Sequence, residues 1–106
     1  MEPKSLDIYL DCRVVLDTGV TMVYIGRLEA YDERGYWLVE ADVHDRAEGH
    51  STKEEYVNRA RELDGAGTRR SNRRRVFVER TFVVSISALS DVVLEEETDE
   101  GGDLTT

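Results

Sequence analysis

The sequence predicts an all-β fold of five short strands, with one helix set between the third and the fourth. Three observations carry that expectation. Apolar and polar residues alternate with a period of two over 8–16. Turn signals built on Asp17-Thr18-Gly19 and Asp32-Glu33-Arg34-Gly35 divide the first half into strand-length runs. A β-branched block, Val76-Phe77-Val78 and then Phe82 to Ser87, follows a stretch of helical periodicity.

The first strand spans 8–16, with Ile8, Leu10, Cys12, Val14 and Leu16 on the core face and Tyr9, Asp11, Arg13 and Val15 on the other. The second spans 21–31. Gly26 inside it has no side chain to pack and marks a bend or bulge. Gly35 closes the next hairpin loop as a residue suited to positive φ, and the third strand covers 36–43. Ser51-Thr52-Lys53-Glu54 then reads as a capping box. Tyr56, Ala60 and Leu63 recur at helical spacing, and Glu55 and Arg59 form a favourable i,i+4 pair. Gly65 and Gly67 stop the helix, which is expected over 52–64 with a narrow apolar stripe and a weak dock. The fourth strand opens at Val76 and the fifth covers 82–87. Leu89, Val92, Val93 and Leu94 extend an edge pairing.

Charge is divided unevenly. The chain of 106 residues carries a net −9. Residues 91–106 hold seven acids and no base, while the other 90 residues hold 16 acids and 14 bases. Twelve of those bases are Arg, and five sit together at Arg69, Arg70, Arg73, Arg74 and Arg75. The molecule thus has a basic knot and an acidic tail, and from Glu95 onward its low hydrophobicity and Gly101-Gly102 predict disorder. Cys12 is the sole cysteine, so no intrachain disulfide forms; it reads as a small apolar side chain. No apolar run reaches membrane-spanning length, and the first residues carry no apolar signal core. The expectation is one domain, cytoplasmic, with no membrane.

Without helix and tail, the strand-forming body is small enough to support a core only marginally. The segment 82–94 is apolar, with little edge protection before Asp91. Pairing with another subunit satisfies such an edge, and a head-to-tail pairing that closes makes a ring.

The two strand blocks resemble the two signature halves of the Sm-like (LSm) family. Gly26-x-Leu28, Tyr31-Asp32 and Leu38-Val39 match the first half; Val76, Val78 and Val83-Val84-Ser85-Ile86 match the second. The matches cover about residues 8–44 and 75–90. The resemblance implies a small, strongly bent five-stranded antiparallel barrel over 1–94, with the helix in an insertion over 45–75 and an acidic disordered tail over 95–106. It also implies hexameric or heptameric rings. In that family the hairpin Asp orients a loop, a following Asn reads a uracil-like base, and an Arg-Gly turn completes the pocket at the pore. Here Asp32 is kept, but Tyr36 stands at the Asn position, Glu79 at the Arg and Arg80 at the Gly. The first turn is longer than the family's, and its N-terminal helix is not evident in residues 1–7.

These departures redirect the functional expectation. Tyr36 can stack a base, since stacking tolerates any nucleotide, but Glu79 repels a phosphate. The run Arg69 to Arg75 falls in the family's variable loop, where guanidiniums clamp phosphates bidentately; read structurally, it is a solvated loop or one neutralised by the tail. Candidate RNA-binding residues are therefore Asp32, Tyr36 and Arg80 facing the pore, and Arg69, Arg70, Arg73, Arg74 and Arg75 on the rim. His44 and His50 with Asp42, Asp45 and Glu48 fit no common metal motif. Ser85 and Ser87 lack a histidine in triad order, and no carboxylate pair is poised for acid–base work. No enzyme, cofactor or metal is expected. The leading expectation is a self-assembling, ring-forming Sm-like protein that binds RNA or scaffolds a ribonucleoprotein. The alternative is a protein-interaction scaffold of the same fold with no nucleic-acid role.

Overall fold

The structure is a computed structural model and describes residues 5–47 and 52–94. The expected acidic tail, His50, Glu48 and Ser51 lie outside the described residues. Five strands are present: β1 (Arg13–Thr18), β2 (Met22–Tyr31), β3 (Gly35–Asp45), β4 (Arg73–Glu79) and β5 (Val83–Ala88). One helix, α1 (Lys53–Gly65), lies between β3 and β4. All pairings are antiparallel, in the order β4-β3-β2-β1-β5.

That order, with the chain's connectivity, forces the sheet to curl. β4 and β5 sit at opposite edges, yet only the short 3₁₀ turn Arg80–Phe82 joins them. Four Cα steps reach about 14 Å at full stretch. The edges of a flat five-stranded sheet stand about 19 Å apart. The sheet therefore bends until its edges approach one another. The inner face accordingly gathers all five strands into one core: Val14, Leu16, Leu28, Tyr36, Leu38, Ala41 and Val78, with Val83 and Ile86 at its margin.

Two glycines permit this curvature, for steric reasons. A Cβ at Gly26 would lie 3.0 Å from Ala41, and the β2–β3 register shifts between Ile25 and Arg27. The expected bulge is thus present. Gly35 opens β3 without a positive φ, contrary to expectation. It is required because a Cβ there would collide with the Val78 carbonyl oxygen.

The chain start differs from the alternating pattern. Residues 6–9 form a 3₁₀ turn, Leu6–Tyr9, with the Ser5 hydroxyl accepting from the Asp7 amide at 3.0 Å. Asp11 then adopts φ 65° and redirects the chain, so Ile8 and Leu10 stay exposed; backbone bonds to Leu28 begin at Asp11 and Cys12, and the regular ladder of β1 at Arg13. Val15, read as a solvent-side residue, is buried because the outer face of β1 is covered.

The cover is α1. Val15, Val23 and Ile25 pack against Tyr56 and Leu89, with Val57, Ala60 and Val92 at the edge. Ion pairs flank this contact: Lys53 Nζ to Asp17 Oδ1 at 2.7 Å, and Arg13 Nε to Asp64 Oδ1 at 3.4 Å. The capping box is built from Thr52 and Glu55, one residue later than read from the sequence. The helix ends in a Schellman arrangement: Gly67, at φ 85°, donates to the Asp64 carbonyl and Thr68 to that of Leu63. Leu89 does not prolong β5; it turns into a 3₁₀ segment and fills the helix–sheet contact, fully buried. The inserted segment is shorter than the expected 45–75, because β3 runs to Asp45 and β4 begins at Arg73. No helix among the described residues is long and apolar enough to cross a membrane.

Candidate nucleic-acid interface

The β2–β3 hairpin presents Asp32 as a turn organiser. Its Oδ1 accepts from the amides of Arg34 (2.8 Å) and Gly35 (3.2 Å), and its own amide donates to the Gly35 carbonyl. An Asx turn of this kind explains why Asp suits the position. The neighbouring connection joins directly: Arg80 donates its amide to the Arg34 carbonyl at 2.8 Å, and Gly35 pairs with Glu79. The fold thus brings Asp32, Glu79 and Arg80 to one end of the sheet. Arg34 stands there too, exposed, and was not singled out from sequence. Its only signal was its place inside the Asp32–Gly35 turn.

Tyr36 departs from expectation. It pairs with Val78, and its ring is 7% exposed within the inner core. The reason is parity: Tyr36 and Leu38 point inward, so Trp37 points outward. Tyr36 therefore offers no open ring face for a base in this chain.

The arginine run is split between a loop and a strand. Arg69 and Arg70 follow the helix, while Arg73, Arg74 and Arg75 belong to β4 and not to the loop expected for them. Asn72 makes this extension possible. Its Oδ1 accepts from the Val43 amide at 3.0 Å and its Nδ2 donates to the Val43 carbonyl at 3.2 Å, extending the β3–β4 ladder by a side chain. All five arginines are exposed. Arg69 reaches Asp64 at 3.4 Å and Arg75 reaches Glu29 at 3.0 Å. Arg70, Arg73 and Arg74 form no ion pair among the described residues.

Electrostatically the two groups differ. The hairpin end mixes Arg34 and Arg80 with Asp32, Glu33 and Glu79, so acids outnumber bases there. The stretch 69–75 carries five cations against the two acids that touch it. Behind it, Arg13 is mostly buried beside Asp64; burial lowers its pKa from the ordinary value, with Asp64 opposing. Asp42, Tyr56, Arg69 and Arg70 frame the same small recess at the helix C-terminus. A second feature faces outward on β3: Trp37 is 39% exposed and leans on Phe77, ring centroids 4.8 Å apart at 48°. His44, considered for metal binding, instead lies flat against Tyr56 at 4.2 Å.

No protein-family model matches the sequence, and no curated protein matches it. Solved structures do resemble it. The Pyrococcus abyssii Sm protein, determined in complex with a uridine heptamer, aligns with a TM-score of 0.53 at 18% identity, over 81% of this chain and 99% of that one. A chain of the NatC complex bound to CoA aligns with a TM-score of 0.52 at 17% identity, over 83% of this chain and 88% of that one. At such identities the likeness concerns the fold.

Proposed function

The chain has an Sm-like fold, and from that premise we propose that it is a non-catalytic, self-assembling scaffold that binds single-stranded RNA through the arginines of 69–75. The observation that carries the RNA reading is the exposure of those five guanidiniums, three of them without an acidic partner among the described residues. Exposed arginines neutralise phosphates, and that term supplies most sequence-independent affinity. The excess of acids at the hairpin end, with Tyr36 buried, argues against a uridine pocket there as the main site. The Sm neighbour's uridine heptamer and the NatC neighbour's place in a complex are properties of those proteins; they make RNA and protein partners the two classes to compare.

The two edges support the self-assembly reading. β4 and β5 each present one unpaired side among the described residues. Beside the β4 edge lies an open cleft of about 280 Å³ lined by Val20, Met22, Tyr24, Phe77 and Phe82 among others. Phe82 and Val20 at this cleft, and Val84 on β5, are more than half exposed. An edge of one copy pairing with the opposite edge of the next gives a heterologous contact, and closure gives a ring. The same apolar cleft supports the second reading, a protein-interaction scaffold without RNA.

Fluorescence anisotropy with labelled oligouridine, oligoadenine and mixed RNA at two salt concentrations tests the proposal. Binding that weakens with salt and is lost in Arg73→Glu/Arg74→Glu is expected. Absence of binding at low salt for every RNA would transfer the conclusion to the protein scaffold.

A further inference from the structure

We propose that Trp37 is a base-stacking platform on the outer face of β3, working with Arg75 as a contact for single-stranded nucleic acid. The inference deepens the RNA reading above and rests on it. Trp37 stands between two buried neighbours, Tyr36 and Leu38, and two positions before the buried Val39, yet keeps 39% of its surface exposed. Burial alone does not account for so large an apolar ring at this position. Phe77, its cross-strand partner on β4, supports one side of the indole. On the other side its partner on β2 is Ala30, whose methyl group leaves the ring uncovered.

The result is an open cleft of about 240 Å³ bounded by Glu29, Ala30, Trp37 and Arg75. That is smaller than the range for drug-sized ligands and suits one planar group laid on the indole. Arg75 fixes the chemistry of that group's neighbour. Glu29 holds its guanidinium at 3.0 Å, and more than half of the side chain remains exposed at the rim. One aromatic face beside an anchored guanidinium, on a strand that continues into Arg74 and Arg73, matches how single strands are held: bases on rings and phosphates on cations. The excess of positive charge along 69–75 selects a polyanion over a neutral or cationic partner. The platform is separate from the hairpin end where Asp32, Arg34 and Arg80 meet.

Trp37 is the sole tryptophan, so its emission reports this site alone. The full-length protein is titrated at low salt with unlabelled oligouridine and oligoadenine, following tryptophan emission, while labelled RNA of the same sequences gives an anisotropy isotherm. Quenching that saturates along the anisotropy curve is expected. Trp37→Ala should weaken binding by about one order of magnitude or more, Trp37→Phe by less. Ala30→Leu, which keeps the tryptophan but covers its open side, should abolish quenching and weaken binding. RNA binding by anisotropy with unchanged emission and unaltered affinity in Ala30→Leu would overturn the platform and leave the arginine reading standing. No RNA binding at all would overturn both.

Discussion

Tyr56 on α1 donates its hydroxyl to the Asp42 carboxylate on β3. The same ring lies flat on His44, two residues further along that strand. With a helix of weak amphipathicity, this contact, flanked by the Lys53–Asp17 and Arg13–Asp64 pairs, fixes the insertion to the barrel. Burial first, and then Asp42, hold the Tyr56 phenol well above the ordinary tyrosine range.

The sign of the pH dependence follows. The folded state binds the Tyr56 proton more tightly than the unfolded state, whose tyrosine titrates near pH 10. The stabilisation is complete below about pH 10 and is lost as pH rises beyond it. Urea midpoints measured across neutral and alkaline pH should fall above pH 10 in the wild type and fall less steeply in Tyr56→Phe. At neutral pH that variant should lose about 1–2 kcal/mol, since it leaves a carboxylate without its donor.

Asp64 serves two arginines, Arg13 and Arg69, each at 3.4 Å. Arg13 is the more buried of the pair, and its Nε makes no hydrogen bond of good geometry. Asp64→Ala should therefore destabilise by about 2–3 kcal/mol, because it strands a buried guanidinium. Arg13→Met combined with Asp64→Leu should recover most of that loss. Chemical denaturation of the single and double variants measures the difference; equal losses in both would contradict the burial argument.

Gly35→Ala should cost about 2–3 kcal/mol or prevent folding, because its Cβ has nowhere to go but the Val78 carbonyl, the Phe77 ring and the Glu79 backbone. Gly65→Ala, where the nearest contact is the far end of the Arg61 side chain, should be neutral or slightly stabilising. Thermal unfolding of the two variants separates a steric requirement from general glycine sensitivity.

Much of the architecture was legible because hydrophobic period and turn chemistry agreed. Strands β2, β3 and β5 and the helix fell close to their expected bounds, and Gly26 marked a true bulge. The misses have physical causes. The alternation Ile8, Leu10, Cys12 continues smoothly into β1, and nothing apolar announces the turn at Asp11, whose left-handed φ breaks it. Arg73 to Arg75 carry no apolar pattern; they are strand because Asn72 and the facing residues of β3 supply partners, a tertiary effect invisible to periodicity. At the candidate site, Asp32, Glu79 and Arg80 stand together at the hairpin end of the sheet. Sequence alone could not tell that Tyr36 would face inward and Trp37 outward, because both are aromatic and adjacent, and only the register against Val78 and Phe77 decides between them.

In the proposed self-assembly this curled sheet pairs its β4 and β5 edges with neighbouring copies. Light scattering coupled to size exclusion, run over a hundred-fold concentration range, tests it most directly. Self-assembly predicts a mass several times the 12.1 kDa of one chain, consistent with a closed ring. It also predicts a shift toward a single chain in Phe82→Glu/Val84→Asp, with the far-ultraviolet spectrum kept. A wild-type mass of one chain at the highest concentration would contradict it.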